Sequence, residues 1–160
     1  MTGRTMLRVA GRWALVMLFV SLGFGWTAGA AKEQKITIVL NEFNFNPANV
    51  TLRASVPAEI KLVNKGKVEH EFQVYVTPKG KVSDWDEHAM ANTYFRDMGE
   101  VETEFEGTGA VAGTRVFEVK VQPGKEAALK FTPTRKGTFE MACHVAGHYE
   151  AGMKGVLVVK

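Results

Sequence analysis

The chain holds one cysteine in 160 residues, Cys143. That excludes an internal disulfide and any site that needs two thiolates from one chain. Histidine is also scarce, with His70, His88, His144 and His148 as the full set. An excess of positive charge is lacking too, although the chain has 20 Lys+Arg against 17 Asp+Glu. Arg4, Arg8 and Arg12 account for the whole difference. From Ala31 onward the two signs balance at 17 each. The pI near 9.0 is therefore no sign of nucleic-acid binding. A hydrophobic run of membrane-spanning length is missing as well, since "WALVMLFVSLGFGW" from Trp13 to Trp26 falls short of the roughly 20 residues required.

That run has a different meaning. Three arginines lie before or at its start, and Ala28-Gly29-Ala30 follows it as a small-x-small cleavage pattern. The layout predicts a secretory signal peptide over residues 1–30, cut before Ala31 or Lys32. No Arg-Arg pair is present, which favours the general secretory route. No cysteine lies near the cut to carry a lipid. The expected destination is the periplasm, with a single domain over residues 31–160. A lone cysteine in an oxidising compartment can pair between molecules, remain an exposed liability, or be capped by a metal.

What remains reads as strands. "KITIVL" (Lys35–Leu40), Val50–Ala54, "AEIKLVN" (Ala58–Asn64), "HEFQVYV" (His70–Val76), "TRVFEVKV" (Thr114–Val121), "EAALKFT" (Glu126–Thr132), "KGTFEMAC" (Lys136–Cys143) and "KGVLVVK" (Lys154–Lys160) are short and punctuated by Gly and Pro. About eight such strands predict an all-β, Greek-key antiparallel sandwich. The pattern breaks between residues 77 and 113. There a long acidic insertion carries a predicted helix between Asp84 and Asp97, capped by Ser83 or Asp84. From Asp84 to Glu106 eight acids face one base, Arg96. Trp85, Tyr94 and Phe95 are expected to pin this insertion to the sandwich.

The chemistry concentrates in "MACHVAGHYEAGM". Cys143, His148 and Met153 fall on one loop between two strands, and Gly147 and Gly152 let it bend. His70 opens a strand after the "NKGK" turn, so it lies at an end of the sandwich. Thiolate and thioether are soft ligands, and imidazole serves both oxidation states of copper. Methionine is a poor zinc ligand, and structural zinc sites usually use more cysteines. His144 neighbours Cys143, so strand parity points it to the opposite face, away from any shared metal. Met141 shares the face of Cys143 and is expected in the core. His88 reads as a surface histidine.

These segments resemble the cupredoxins, the small blue-copper proteins. The likeness covers nearly all of Lys35–Lys160 and rests on "FNFNPANVTL", "VNKGKVEHEF", "PGKEAALKFTPTRKGTFEMAC" and "GMKGVLVV". The Cys-x4-His-x4-Met spacing is similar to that of auracyanin and rusticyanin. The resemblance implies one type 1 copper per chain, held by His70, Cys143, His148 and Met153. "GHYEAGMKG" also looks like exported cupredoxins of bacterial copper tolerance. Two positions depart from the family. Glu71 stands where an asparagine often braces the cysteine loop, and His144 stands where Thr or Ser is common.

Three functions follow as expectations. The first is an exported carrier of single electrons, exchanging them at the edge of His148 and docking redox protein partners through the acidic 84–106 segment. The second is a periplasmic copper-tolerance protein that binds or oxidises Cu(I), with a weaker second site near His88, Met90 and Met98. The third, a copper enzyme, is disfavoured, because His88 and His144 alone cannot build a further copper cluster.

Overall fold

The structure is a computed structural model and describes residues 31–105 and 116–160. The expected signal peptide and part of the 77–113 insertion lie outside the described residues. Ten strands and one helix are present among the described residues: β1 (Gln34–Asn41), β2 (Asn44–Asn46), β3 (Asn49–Leu52), β4 (Ala58–Asn64), β5 (His70–Tyr75), α1 (Trp85–Asn92), β6 (Glu102–Phe105), β7 (Val119–Val121), β8 (Glu126–Phe131), β9 (Gly137–Ala142) and β10 (Lys154–Val159). They form two five-stranded sheets, β2-β1-β4-β8-β6 and β3-β10-β9-β5-β7.

Alternation explains the packing. In β4 and β8, alternate residues are buried, which sends Ile60, Leu62 and Leu129 inward while Lys61 and Lys130 face solvent. From the other sheet, Phe72, Val74, Met141 and Leu157 meet them. Each such apolar side chain contributes roughly 1.5–3 kcal/mol on full burial. Two ladders run parallel, β1 with β4 and β3 with β10, so the sandwich is not wholly antiparallel. The expected strands are present to within two residues at each end, except that of the expected Thr114–Val121 only Val119–Val121 (β7) is strand, Thr114 and Arg115 lying outside the described residues. Two more come from segments read as connections, β2 and the insertion's β6, which pairs with β8.

β5 breaks the alternation, because all six of its residues are buried. At Tyr75 its outer face is covered by Trp85 and His88 of the insertion. α1 starts at Asp84, whose carboxylate accepts from the Glu87 N–H at 2.9 Å. It ends at Asn92, five residues before the expected end. The chain then bonds back to β5, with Tyr94 N–H on the Val74 carbonyl (2.7 Å) and Val76 N–H on that of Asn92 (3.1 Å). Tyr94 and Phe95 turn into the core, as expected of residues that pin the insertion. Tyr94 packs edge-on against Phe139 at 4.5 Å. Ala89 is the fully buried contact of the helix itself.

Candidate metal centre

The antiparallel pairing of β9 with β10 sets Ala142 opposite Lys154. The intervening loop, 143–153, is therefore clamped at both ends. Inside it, Met153 N–H donates to the His148 carbonyl (2.9 Å) and Cys143 N–H to that of Met153 (3.1 Å). Gly147 (φ 82°) and Gly152 (φ 104°) take the left-handed backbone that such a tight path requires. The backbone alone thus holds Cys143, His148 and Met153 together.

His70 arrives from β5. Its Nδ1 lies 3.2 Å from Nδ1 of His148 and 4.0 Å from Sγ of Cys143. Sγ of Cys143 lies 3.4 Å from Nδ1 of His148. His70 and Cys143 are fully buried, and His148 keeps 7% of its surface. Met153 is fully buried beside them. Two imidazole nitrogens and a sulfur turned toward one point, with no carboxylate among them, fit a soft or borderline cation.

The turn that carries His70 is fixed by Asn64, a residue the sequence reading passed over. Its Nδ2 donates to the carbonyls of Val121 (2.7 Å) and Val68 (2.9 Å), and its Oδ1 accepts from Gly66 N–H (2.8 Å). Gly66 lies so close that a Cβ there would come within 2.6 Å of His70 Nε2. The Asn-Lys-Gly order was the available sign, since asparagine side chains bond their own turns.

Glu71 does not brace the cysteine loop with its side chain. That carboxylate pairs with Lys120 at 3.3 Å. Its backbone N–H instead donates to Sγ of Cys143 at 3.3 Å. Burial pushes the Cys143 thiol up, and the N–H groups of Glu71 and Val145 partly offset this. Burial likewise pulls His70 down, helped by repulsion from His148 and opposed by Glu42. Neutral imidazole is the form that binds metal, whereas the thiol must give up its proton to do so.

The remaining histidines lie elsewhere. His144 faces away from the cluster, as parity required. It stacks on Trp85 (4.3 Å, 17°) and lies 2.8 Å from the Tyr75 hydroxyl through Nε2. His88 is half-buried, with Nε2 3.1 Å from the Val76 carbonyl and Nδ1 3.3 Å from Asn92 Nδ2, so it is more than a plain surface residue. The expected weak second site does not assemble: Met98 is buried in the core and Met90 projects into solvent at 52% exposure. Two residues on along a helix, His88 and Met90 also point to different sides.

A family model described as a cupredoxin-like domain matches residues 14–84. The copper-resistant cuproprotein CopI of Rubrivivax gelatinosus is 30% identical over 139 residues, which cover 86% of this chain and 73% of that protein. CopI of Pseudomonas aeruginosa is 30% identical over 158 residues, covering 86% and 82%. Among solved structures, reduced auracyanin from Roseiflexus castenholzii overlays with a TM-score of 0.56 at 19% identity, over 79% of this chain and 97% of that one. Two relatives at this identity, each matched over more than two thirds of its length, together with the two-sheet sandwich, show that the chain belongs to the cupredoxin family.

Proposed function

We propose that the protein is an exported single-copper electron carrier, with copper held by Nδ1 of His70, Sγ of Cys143, Nδ1 of His148 and the thioether of Met153. The observation that carries this reading is the convergence of two buried imidazole nitrogens and the lone thiol within 4.8 Å of one another. Copper bound there would supply one-electron exchange between Cu(I) and Cu(II). The chain's contribution is to hold the donors in place beforehand. Asn64 fixes the His70 turn, and the loop's backbone bonds fix the other three. Little then has to move when the charge changes. Burial excludes water and protects the thiol from oxidation. His148 is the one donor that retains exposure, so its edge is the expected place for exchange with a redox partner.

The test is the absorption and paramagnetic spectrum of the copper-loaded protein. Intense thiolate-to-copper charge transfer, lost in Cys143→Ala and in His70→Ala, is expected. An unchanged spectrum in His70→Ala would remove that residue from the site.

A second reading, copper tolerance in the periplasm, is favoured by the name its relatives carry, copper-resistant cuproprotein. Loss of the gene would then lower growth on copper. Binding of one copper per chain under excess metal would argue against storage, in keeping with the dispersal of His88, Met90 and Met98.

A further inference from the structure

The 143–153 loop carries a pattern that metal binding does not explain. Each of its three candidate donors is followed directly by a residue of one outer array. Cys143 is followed by His144, His148 by Tyr149 and Met153 by Lys154. The His144 and Tyr149 rings stack at 4.8 Å and 24°, and the Lys154 ammonium lies over Tyr149 at 4.7 Å.

Residues outside the loop grip this array. Trp85, the first residue of α1, stacks on His144 at 4.3 Å and 17° and lies 4.8 Å from the Tyr149 ring. Tyr75 of β5 sets its hydroxyl 2.8 Å from Nε2 of His144. Glu140 of β9 accepts from the hydroxyls of Tyr149 (2.7 Å) and Tyr75 (3.3 Å). The backbone bonds inside the loop fix its donors to one another. Its hold on β5, the strand that supplies His70, includes the Tyr75–His144 contact. Lifting the loop would break that contact and the Tyr149–Glu140 bond, and would strip Trp85 from two rings.

α1 is the part of this grip that releases at least cost. It has eight residues, too few for a helix to be stable alone. Its fully buried contact is Ala89. Segments of this kind open locally at lower free energy than core strands do. Trp85, His144 and Tyr149 are all partly exposed, so the stack can part without disturbing the sandwich interior.

We propose that Trp85, with Tyr75 and Glu140, is a positioning group that latches the 143–153 loop to the sandwich and sets how fast copper enters and leaves. The proposal rests on the copper reading of the metal centre. None of the three residues supplies a donor. Copper exchange waits on α1 lifting from the His144 and Tyr149 rings, whereas electron exchange at the His148 edge needs no such opening.

Transfer of copper from the reduced, loaded protein to bathocuproine disulfonate, a Cu(I) chelator, reads the release rate. Trp85→Ala should speed release roughly tenfold, within what two lost ring stackings supply. Trp85→Phe keeps a stacking face and should restore most of the wild-type rate. Tyr149→Phe deletes only the hydroxyl held by Glu140 and should speed release by a smaller factor. The visible absorption maximum should stay in place in all three, since the donors are untouched. A Trp85→Ala rate equal to wild type, or a Trp85→Phe rate as fast as that of Trp85→Ala, would overturn the latch. Amide hydrogen exchange gives a readout on the copper-free protein. Exchange over 143–153 should quicken in Trp85→Ala while β4 and β8 exchange as before. Quickening spread evenly over both sheets would make Trp85 a general stabiliser and overturn the latch. A wild-type protein that takes up no copper would remove the copper reading and the role in release together. Unchanged loop exchange with copper bound normally would remove the latch alone.

Discussion

The backbone N–H of Glu71 donates to the sulfur of Cys143 at 3.3 Å, while the Glu71 carboxylate pairs with Lys120. One residue thus contributes to the metal centre and to the outer face of the sheet through different atoms. Glu71→Gln should leave the visible absorption maximum of the copper-loaded protein where it is. Its cost to stability should be about 1 kcal/mol or less, because the ion pair is partly solvated. A moved maximum would show that the carboxylate, and not the amide, tunes the sulfur.

Gly66 is the tightest point around His70. A methyl group there would meet His70 Nε2 at 2.6 Å and Glu42 Oε1 at 2.9 Å. Gly66→Ala should displace the ring, destabilise the fold by about 1–3 kcal/mol and weaken copper binding. Chemical denaturation and copper titration of the same sample measure both. Unaltered affinity would mean that the 65–69 turn yields without moving the imidazole.

Asn64 makes three side-chain bonds, two of them buried and one partly so. Asn64→Ala leaves two carbonyls and one N–H short of a partner, at about 1–3 kcal/mol for an unsatisfied buried group. The expected loss is therefore several-fold larger than for a surface substitution. It should fall on copper affinity too, since the turn delivers His70.

The Tyr94 hydroxyl is buried with no hydrogen-bond partner among the described residues, and burial pushes its pKa up to about 12. The folded state therefore prefers the neutral phenol. Stability from this preference is complete below the ordinary value of 10.0 and is lost as pH rises from there through about 12. Tyr94→Phe should flatten that alkaline decline in a series of thermal melts. At neutral pH it should cost less than about 1 kcal/mol, since no bond is broken.

Much of this architecture is legible in the sequence. A β-branched run marks β1, and alternating apolar residues mark β4 and β8. Strand parity separates His144 from Cys143 and sends Met141 inward. The loop's Cys, His and Met are readable because they are close in sequence and backbone bonds hold them close in space. His70 is readable because few histidines exist and only one opens a strand at the right end. The sequence is silent where the chain meets itself over long distances. Asn64 reaching Val121, β6 joining β8, and Trp85 lying on His144 are contacts between segments whose local patterns say nothing of each other. α1 was recognisable by its Asp84 cap, yet its end was set by the return of Tyr94 to β5, a tertiary event.

Cys143 is completely enclosed, and no second thiol exists in the chain. A thiol reagent can therefore attack only when the metal end of the sandwich opens. The protein carries its own clock for that opening, readable without any added label. In the metal-free state the rate of modification gives the free energy of local opening. Comparison with global unfolding shows whether the 143–153 loop detaches by itself or only together with both sheets.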